Sequence, residues 1–190
     1  MKTIFAPGCE LKRSKKELVG TLESYLVKHH TCSLEKTKCC SVDTNFKDTR
    51  IITACPGCHK VYLNTNSSTV SLWEIIDNDV EYKFQNYNGK ELSIHDSCMF
   101  KNDDMKNQFD IVRSLAKKMN LKIIEPEKTR NNTECCGEKY VNDLPEEEVL
   151  EKIKYRANQM PVNDVLVYCM GCYDNMKKAN KNPIHLIELL

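Results

Sequence analysis

The 190-residue chain lacks the features that would place it in a membrane or on nucleic acid. Its formal net charge is only +1, so no strongly basic field favours nucleic acid or an anionic lipid surface. No apolar run approaches the roughly 18 residues that a membrane-spanning helix needs. The opening residues, MKTIFAPGCE, lack the apolar stretch of a secretory signal peptide. We therefore expect a cytoplasmic protein with no membrane span and no nucleic-acid partner.

Cysteine, in contrast, is abundant, with 11 residues in the chain. A secreted disulfide framework would account for that number, but no export signal accompanies it, and cytosolic thiols are normally kept reduced. Metal ligation and thiol redox chemistry are the remaining explanations. Both require cysteines at particular spacings.

The cysteines follow an internal repeat. Residues 51–76 align with residues 165–190 without a gap, at an offset of 114, and the tails VSLWEII and IHLIELL match in pattern. Each half contains a single cysteine, then an adjacent pair, then a Cys-x-x-Cys, whereas Cys32 has no counterpart. The paired sets are Cys9, Cys39, Cys40, Cys55 and Cys58 in the first half, and Cys98, Cys135, Cys136, Cys169 and Cys172 in the second. We interpret the chain as a duplication, with lobes at residues 1–88 and 89–190.

Alternating strand and helix patterns predict an α/β fold with two similar lobes, each a small, mainly parallel sheet flanked by helices. KTIFA, RIITA, ELSIH and DVLVY are apolar runs of strand length. Helical periodicity follows the opening strand of each half, and a further helix is predicted with Asp143 near its cap and Pro145 in its first turn. The single cysteines and the Cys-x-x-Cys motifs fall at strand ends, where parallel sheets bind ligands.

Three kinds of site can use such cysteines. Structural zinc takes four ligands, whereas each half offers five thiols. A thioredoxin-like Cys-x-x-Cys would leave the adjacent cysteine pairs without a role. An iron–sulfur site uses cysteine thiolates drawn from several loops, and accounts for most of the cysteines. The spacing favours iron–sulfur, with zinc and thiol redox as alternatives.

The second half carries CCG at residues 135–137 and IHDSC at residues 94–98. With the ordered cysteines, these motifs resemble the cysteine-rich CCG domain family. That family includes the heterodisulfide reductase subunit that carries two tandem CCG domains, and iron–sulfur subunits of glycolate, lactate and glycerol-3-phosphate oxidising complexes. The resemblance covers nearly the whole chain as two successive domains.

The resemblance implies that each complete set of five cysteines holds a noncubane [4Fe–4S] cluster, giving one or two clusters per chain. It implies an anaerobic-type oxidoreductase that reduces a small-molecule disulfide, or forms it in reverse, with the disulfide cleaved between two clusters. The chain lacks the ferredoxin spacing that often accompanies the family, so an iron–sulfur or flavoprotein subunit is expected to supply electrons. The alternative is a non-catalytic electron carrier in a flavin-dependent dehydrogenase complex.

The first half departs from the family pattern. Only 14 residues separate Cys40 from Cys55, against 32 between Cys136 and Cys169, and Ser41 replaces the motif's glycine. So few residues leave too little chain for the usual crossover helix before the strand. We expect the first site to be distorted, differently loaded or more open.

Several other residues are candidates near a cluster. His95 is predicted to lie beside the bound group, as a hydrogen-bond partner or a proton donor. Gly57 and Gly171 are expected to let the backbone approach a cluster closely, and Gly137 completes the CCG motif, so we count all three as cofactor-binding. His59 is interpreted as a surface histidine.

Overall fold

The computed structural model describes residues 2–30, 46–101 and 105–190. They form two compact units, within residues 1–80 and 81–190, and each unit has its own parallel sheet flanked by helices. The predicted α/β class with two small parallel sheets is therefore confirmed. Across these ranges, no helix is long and apolar enough to cross a bilayer.

The first unit contains a three-stranded sheet in the order β1-β2-β3, with all strands parallel. Its elements are β1 (Lys2–Ala6), α1 (Cys9–Ser14), α2 (Lys16–His30), β2 (Thr49–Thr53), α3 (Pro56–Leu63), β3 (Ser68–Ser71) and α4 (Leu72–Asn78). Strands β1 and β2 match the predicted KTIFA and RIITA. Ile4 and Phe5 in β1, with Ile51 and Ile52 in β2, are all buried, as expected for a parallel sheet covered on both faces.

The second unit contains a four-stranded parallel sheet in the order β5-β4-β6-β7. Its elements are β4 (Glu91–Ile94), α5 (Asn107–Lys118), β5 (Lys122–Ile124), α6 (Glu146–Asn158), β6 (Asp164–Val167), α7 (Met170–Lys178) and β7 (Asn182–His185), with short 3₁₀ turns at Cys98–Phe100, Arg130–Asn132, Glu138–Tyr140 and Leu186–Glu188.

Helices α5 and α6 bury the apolar stripes that their sequences predict. Phe109, Val112 and Ala116 of α5 are buried, as are Val149 and Ile153 of α6. Burial of one such aliphatic or aromatic side chain contributes about 1.5–3 kcal/mol, so these stripes fix both helices against the sheet.

The start of α6 differs slightly from the prediction. Pro145 is itself the N-cap residue, and the helix begins at Glu146. Asp143 lies in the preceding turn, where its backbone N–H donates to the carbonyl of Tyr140, so it does not cap the helix. The three glutamates in the first turn supply the negative charge that a helix N-terminus favours.

Residues 81–88 belong to the second unit. The backbone N–H of Tyr87 donates to the carbonyl of Met119, and its hydroxyl donates to the carbonyl of Leu189. These contacts tie the segment to the end of α5 and to the C-terminus. The assignment of the two units as cluster-binding lobes stays a prediction at this point.

The duplication is visible in matching elements. The order β2-α3-β3-α4 in the first unit corresponds to β6-α7-β7 and a final 3₁₀ turn in the second. Ser71 and His185, which align in the repeat, each cap the last helical segment by accepting a hydrogen bond from a backbone N–H two residues later. Strand β5 and helix α6 have no counterpart among the described elements of the first unit.

Asp96 anchors the loop that follows β4. This buried carboxylate accepts hydrogen bonds from the guanidinium of Arg113, the hydroxyls of Tyr168 and Thr129, and the backbone N–H of Arg130. Burial alone raises the pKa of Asp96, but the hydrogen bonds and charge of Arg113 outweigh it and lower that pKa. One ionised side chain thus joins β4 to α5, β6 and the segment around residue 130.

Replacing Asp96 with Asn should destabilise the second unit by about 3 kcal/mol, because it removes the buried charge that pairs with Arg113 and leaves only the more exposed Glu125 to pair with it. Asp110→Asn is the control, since Asp110 pairs with Arg130 on the surface and is 74% exposed; it should cost less than about 0.5 kcal/mol. Urea unfolding followed by near-ultraviolet circular dichroism measures both. Equal costs for the two variants would contradict the anchoring role of Asp96.

Candidate metal centre

The Cys-x-x-Cys motifs occupy equivalent places in the two units. Cys55 is the N-cap residue of α3, directly after β2, and Cys169 is the N-cap residue of α7, directly after β6. Cys58 and Cys172 lie in the first turns of those helices, and both are buried. The positive end of a helix dipole stabilises a thiolate, so this placement favours metal ligation.

In the second unit, the fold brings together five cysteines from three chain segments. Hydrogen-bonding contacts between thiols link Cys98 with Cys135, Cys135 with Cys136, Cys136 with Cys172, and Cys172 with Cys169. None of the five forms a disulfide. All the predicted ligands of the second site therefore lie in one connected cluster, which we call the thiol cluster.

The CCG loop is shaped by its glycine. Gly137 has φ 109°, and a Cβ placed on it would lie 2.4 Å from Cγ1 of Ile153 in α6. The tight turn also aims backbone N–H groups at sulfur: those of Gly137 and Lys139 donate to Cys135. The glycine requirement thus comes from backbone conformation and from the closeness of α6.

The electrostatics of the thiol cluster favour a bound cation. Contacts with Cys136 and Cys98, together with backbone N–H donors, hold the pKa of Cys135 well below its usual range. The pKa values of the two neighbouring cysteines are raised instead. Contact with Cys135 raises the pKa of Cys98, and it raises the pKa of Cys136 to about 12. Adjacent sulfurs cannot all ionise unless positive charge lies among them. A metal or iron–sulfur group held by these cysteines would supply that charge.

One side of the thiol cluster is buried. A ring nitrogen of His95 and the sulfurs of Cys136 and Cys172 lie within 4.8 Å of one another. Asn175, one turn after Cys172 in α7, directs its amide nitrogen to the sulfur of Cys136 at 3.7 Å. Burial, reinforced by the charge of Arg156, lowers the pKa of His95 to about 3, so the ring is neutral at physiological pH. The side chains of His95 and Asn175 thus place N–H groups near the buried sulfurs, and such donors are common around metal-bound sulfur.

The opposite side of the thiol cluster is open. A cavity of about 1310 Å³ is bordered by Cys98 and Cys135, which are both half-buried. Tyr140, Tyr155 and Met99 contribute apolar surface to its wall. A small molecule entering this cavity would meet those two sulfurs first.

Four lysines also line the cavity, and two of them have close partners. Lys128 forms an ion pair with Glu134, and the ammonium group of Lys139 lies 4.6 Å from the ring centre of Tyr140. Lys101 and Lys152 complete the set. The entrance to the sulfurs is therefore rich in amino groups, although glutamates balance most of their charge.

The first unit brings three of its five predicted ligands close to one another. A Cβ placed on Gly8 (φ 103°) would lie 2.8 Å from Cβ of Cys55 and 3.8 Å from the sulfur of Cys58. Gly8 is the N-cap residue of α1, so Cys9 begins that helix beside the Cys-x-x-Cys. Contact with Cys58 lowers the pKa of Cys55 to about 6. Cys39 and Cys40, like Cys32 and Ser41, lie outside the described residues.

Gly57, Gly171 and His59 each contact a residue near the cysteines or the sheet. The backbone N–H of Gly57 donates to the sulfur of Cys55. Gly171 leaves room for Glu138, whose carboxyl carbon would lie 3.2 Å from an added Cβ. The surface interpretation of His59 is wrong, because it is buried and hydrogen-bonded at 2.7 Å to the hydroxyl of Thr53.

Sequence reasoning missed three residues next to the sulfurs: Gly8, Arg156 and Asn175. Arg156 falls within the apolar stripe of α6, three residues after Ile153, and a charge in such a stripe was an available signal. Asn175 follows Cys172 by one helical turn. Gly8 directly precedes a ligand cysteine, but its positive φ is a property of the folded backbone.

The Gly137→Ala variant should lose roughly 3 kcal/mol of unfolding free energy, because an L-residue is strained at this φ and its methyl group collides with Ile153. Gly20→Ala is the matched control: nothing lies within 4 Å of its added Cβ in α2, so it should gain about 1 kcal/mol. Chemical denaturation of both variants tests this, and an unaffected Gly137→Ala protein would refute it.

Comparison with known proteins assigns part of the chain. Residues 92–177 match the family model described as CCG, cysteine-rich domain, and this segment includes every cysteine of the thiol cluster. No curated protein and no solved structure matches the chain. Clustered thiols with donors on one side and a cavity on the other fit metal or iron–sulfur binding. Over residues 92–177, the chain is therefore similar to the cysteine-rich CCG domain.

Proposed function

We propose that this chain is an iron–sulfur oxidoreductase subunit resembling the tandem-CCG-domain component of heterodisulfide reductase. In this proposal the thiol cluster of the second unit holds a [4Fe–4S] group of the noncubane type. The reaction is reduction of a small-molecule disulfide, or its formation from two thiols in reverse. The observation that carries the proposal is that five cysteine sulfurs form one connected series of contacts beside an open cavity.

The two sides of the thiol cluster suit different tasks. On the buried side, His95, Asn175 and Arg156 exclude water and present polar hydrogens around Cys136 and Cys172. On the open side, the cavity would let a substrate sulfur approach Cys98 and Cys135. The buried side can therefore hold the iron–sulfur group while the open side admits a reactant.

The chemistry needs electrons from outside the chain. Reduction of a disulfide consumes two electrons and two protons and releases two thiols. A bound iron–sulfur group supplies one-electron transfer at the sulfur site. Because the chain lacks the ferredoxin-type cysteine spacing, we propose that an iron–sulfur or flavoprotein partner delivers the electrons.

The first unit would hold a second group. Cys9, Cys55 and Cys58 lie near one another there, and Cys39 and Cys40 would complete the set. The positive end of α3 and the N–H of Gly57 favour thiolate at Cys55, as they would for a ligand.

A non-catalytic electron carrier is the second candidate. Such a protein needs its cluster near the surface but has no need to admit a small molecule. The cavity beside Cys98 and Cys135 therefore favours the enzyme over the carrier.

Iron and acid-labile sulfide per chain test cluster binding on anaerobically purified protein. Two [4Fe–4S] groups give about eight irons, and a second-unit group alone gives about four. Replacing both Cys136 and Cys172 with Ser should remove about four irons, because it deletes the two buried ligands. Cys32→Ser, which alters the one cysteine without a repeat partner, should leave the iron content unchanged. Colourless wild-type protein that contains zinc and no iron would overturn the proposal.

A thiol probe separates the enzyme from the carrier. Adding 2-mercaptoethanol to the oxidised, loaded protein should change its electron paramagnetic resonance (EPR) spectrum, because the thiol can reach the sulfur site through the cavity. Ethylene glycol, which has a hydroxyl in place of the thiol, should leave the spectrum unchanged. A spectrum that responds to neither compound would favour the carrier.

A further inference from the structure

Arg156 is a buried cation whose hydrogen-bond partners are all neutral. It has no exposed surface, and its guanidinium donates to Nδ1 of His95, to the side chain of Gln159, to the hydroxyl of Thr133 and to the carbonyl of Lys128. No carboxylate of the described residues forms an ion pair with it. Burying an unpaired charge is costly, so the surroundings of Arg156 should contain a compensating anion.

The nearby carboxylates already have other cations. Asp96 and Glu134 act on Arg156 electrostatically, but Asp96 binds Arg113 and Glu134 pairs with Lys128. The sulfurs of Cys172 and Cys136 also act on Arg156. They become negative when they ionise to hold a metal group, so the buried side of the thiol cluster would then be the anion that remains for Arg156.

Arg156 also determines which nitrogen of His95 carries the proton. A guanidinium has donors but no acceptor, so Nδ1 of His95 must accept the 3.2 Å hydrogen bond from Nε of Arg156. The neutral ring then carries its hydrogen on Nε2. That atom is buried and has no hydrogen-bond partner among the residues that the structure describes.

The sulfurs are the acceptors within reach of this ring. A nitrogen of His95 lies within 4.8 Å of the sulfurs of Cys136 and Cys172, and Nδ1 is already occupied by Arg156. With its hydrogen in place, Nε2 has no lone pair to offer a metal. Nε2 forms no hydrogen bond with the described residues, so its hydrogen is available for a sulfur ligand of a bound group, and the protonated nitrogen is excluded as a ligand itself.

We propose that Arg156 holds His95 as an Nε2–H donor to the sulfur face of Cys136 and Cys172, and that this pair raises the reduction potential of the iron–sulfur group held there. The inference rests on the proposed function. His95 and Arg156 act as positioning residues. Each added electron increases negative charge on the sulfurs, so an N–H donor and a buried cation stabilise the reduced form more than the oxidised form.

The first unit has no histidine at the position equivalent to His95. The residue three before Cys98 is His95, whereas the residue three before Cys9 is Ala6, at the end of β1. Alanine has no polar side-chain hydrogen to donate. A group bound in the first unit would therefore keep its potential when His95 or Arg156 is changed.

The test is an EPR-monitored redox titration of the loaded full-length protein. At a fixed applied potential, His95→Leu and Arg156→Gln should each lower the ratio of reduced to oxidised cluster roughly tenfold. That change corresponds to a decrease in reduction potential of about 59 mV for one electron. His95→Gln restores an N–H donor and should recover most of the shift. Arg130→Gln, which removes a surface arginine paired with Asp110, should leave the potential unchanged.

Pulsed EPR on protein labelled with ¹⁵N-histidine gives a readout that does not depend on variant stability. Weak nitrogen coupling is expected for a hydrogen bond to sulfur, whereas strong coupling would identify His95 as an iron ligand and overturn the inference. Wild-type potential in a loaded His95→Leu protein would also overturn it.

The iron content of the wild-type protein distinguishes failure of this inference from failure of the proposed function. If the wild-type protein binds iron and sulfide but the variants do not alter its potential, only this inference fails. If the wild-type protein binds no iron, both proposals fail.

Discussion

Mutual repulsion among close thiolates is the constraint on which the second unit depends. Five cysteine side chains meet there, and the low pKa of Cys135 is accompanied by raised values for Cys98 and Cys136. A set of this kind becomes fully ionised only around positive charge. The parallel sheet, the CCG turn and the N-terminus of α7 all bring sulfurs to the same place, so the fold concentrates a negative charge that a metal group can neutralise.

The structure around the sulfurs divides into a buried, hydrogen-bonded side and an accessible side. Asp96 ties the loop before Cys98 to α5 and β6, while Arg156 and His95 fill the space behind Cys136 and Cys172. Most polar atoms of this network have hydrogen-bond partners, whereas Nε2 of His95 has none among the described residues. The open cavity lies across from this network, which allows access without exposing the buried ligands.

The sequence predicted much of the fold because its signals are local. KTIFA and RIITA are apolar runs of strand length, and the stripes of α5 and α6 follow helical periodicity. Strand β5 was not predicted, because Lys122–Ile124 is too short to show a period. The cap of α6 was placed too early, since Asp143 has the chemistry of a cap but its backbone N–H closes a preceding turn.

The site was predictable only in its ligands. Cysteine spacing and repetition gave a ligand set for each half, and the structure assembles the second set. Residue spacing could not show the contact of Arg156 with His95, which joins positions 61 residues apart. The burial of His59 was missed for a similar reason, because its partner Thr53 becomes adjacent only when β2 leads into α3.

Extended X-ray absorption at the iron edge of the anaerobically loaded full-length protein tests the central claim most directly, because it reports the atoms bound to the metal. The account predicts sulfur as the nearest neighbour of iron, with iron–iron scattering from a cluster and no nitrogen ligand. Iron surrounded by nitrogen or oxygen, or a lone metal ion without iron–iron scattering, would contradict it.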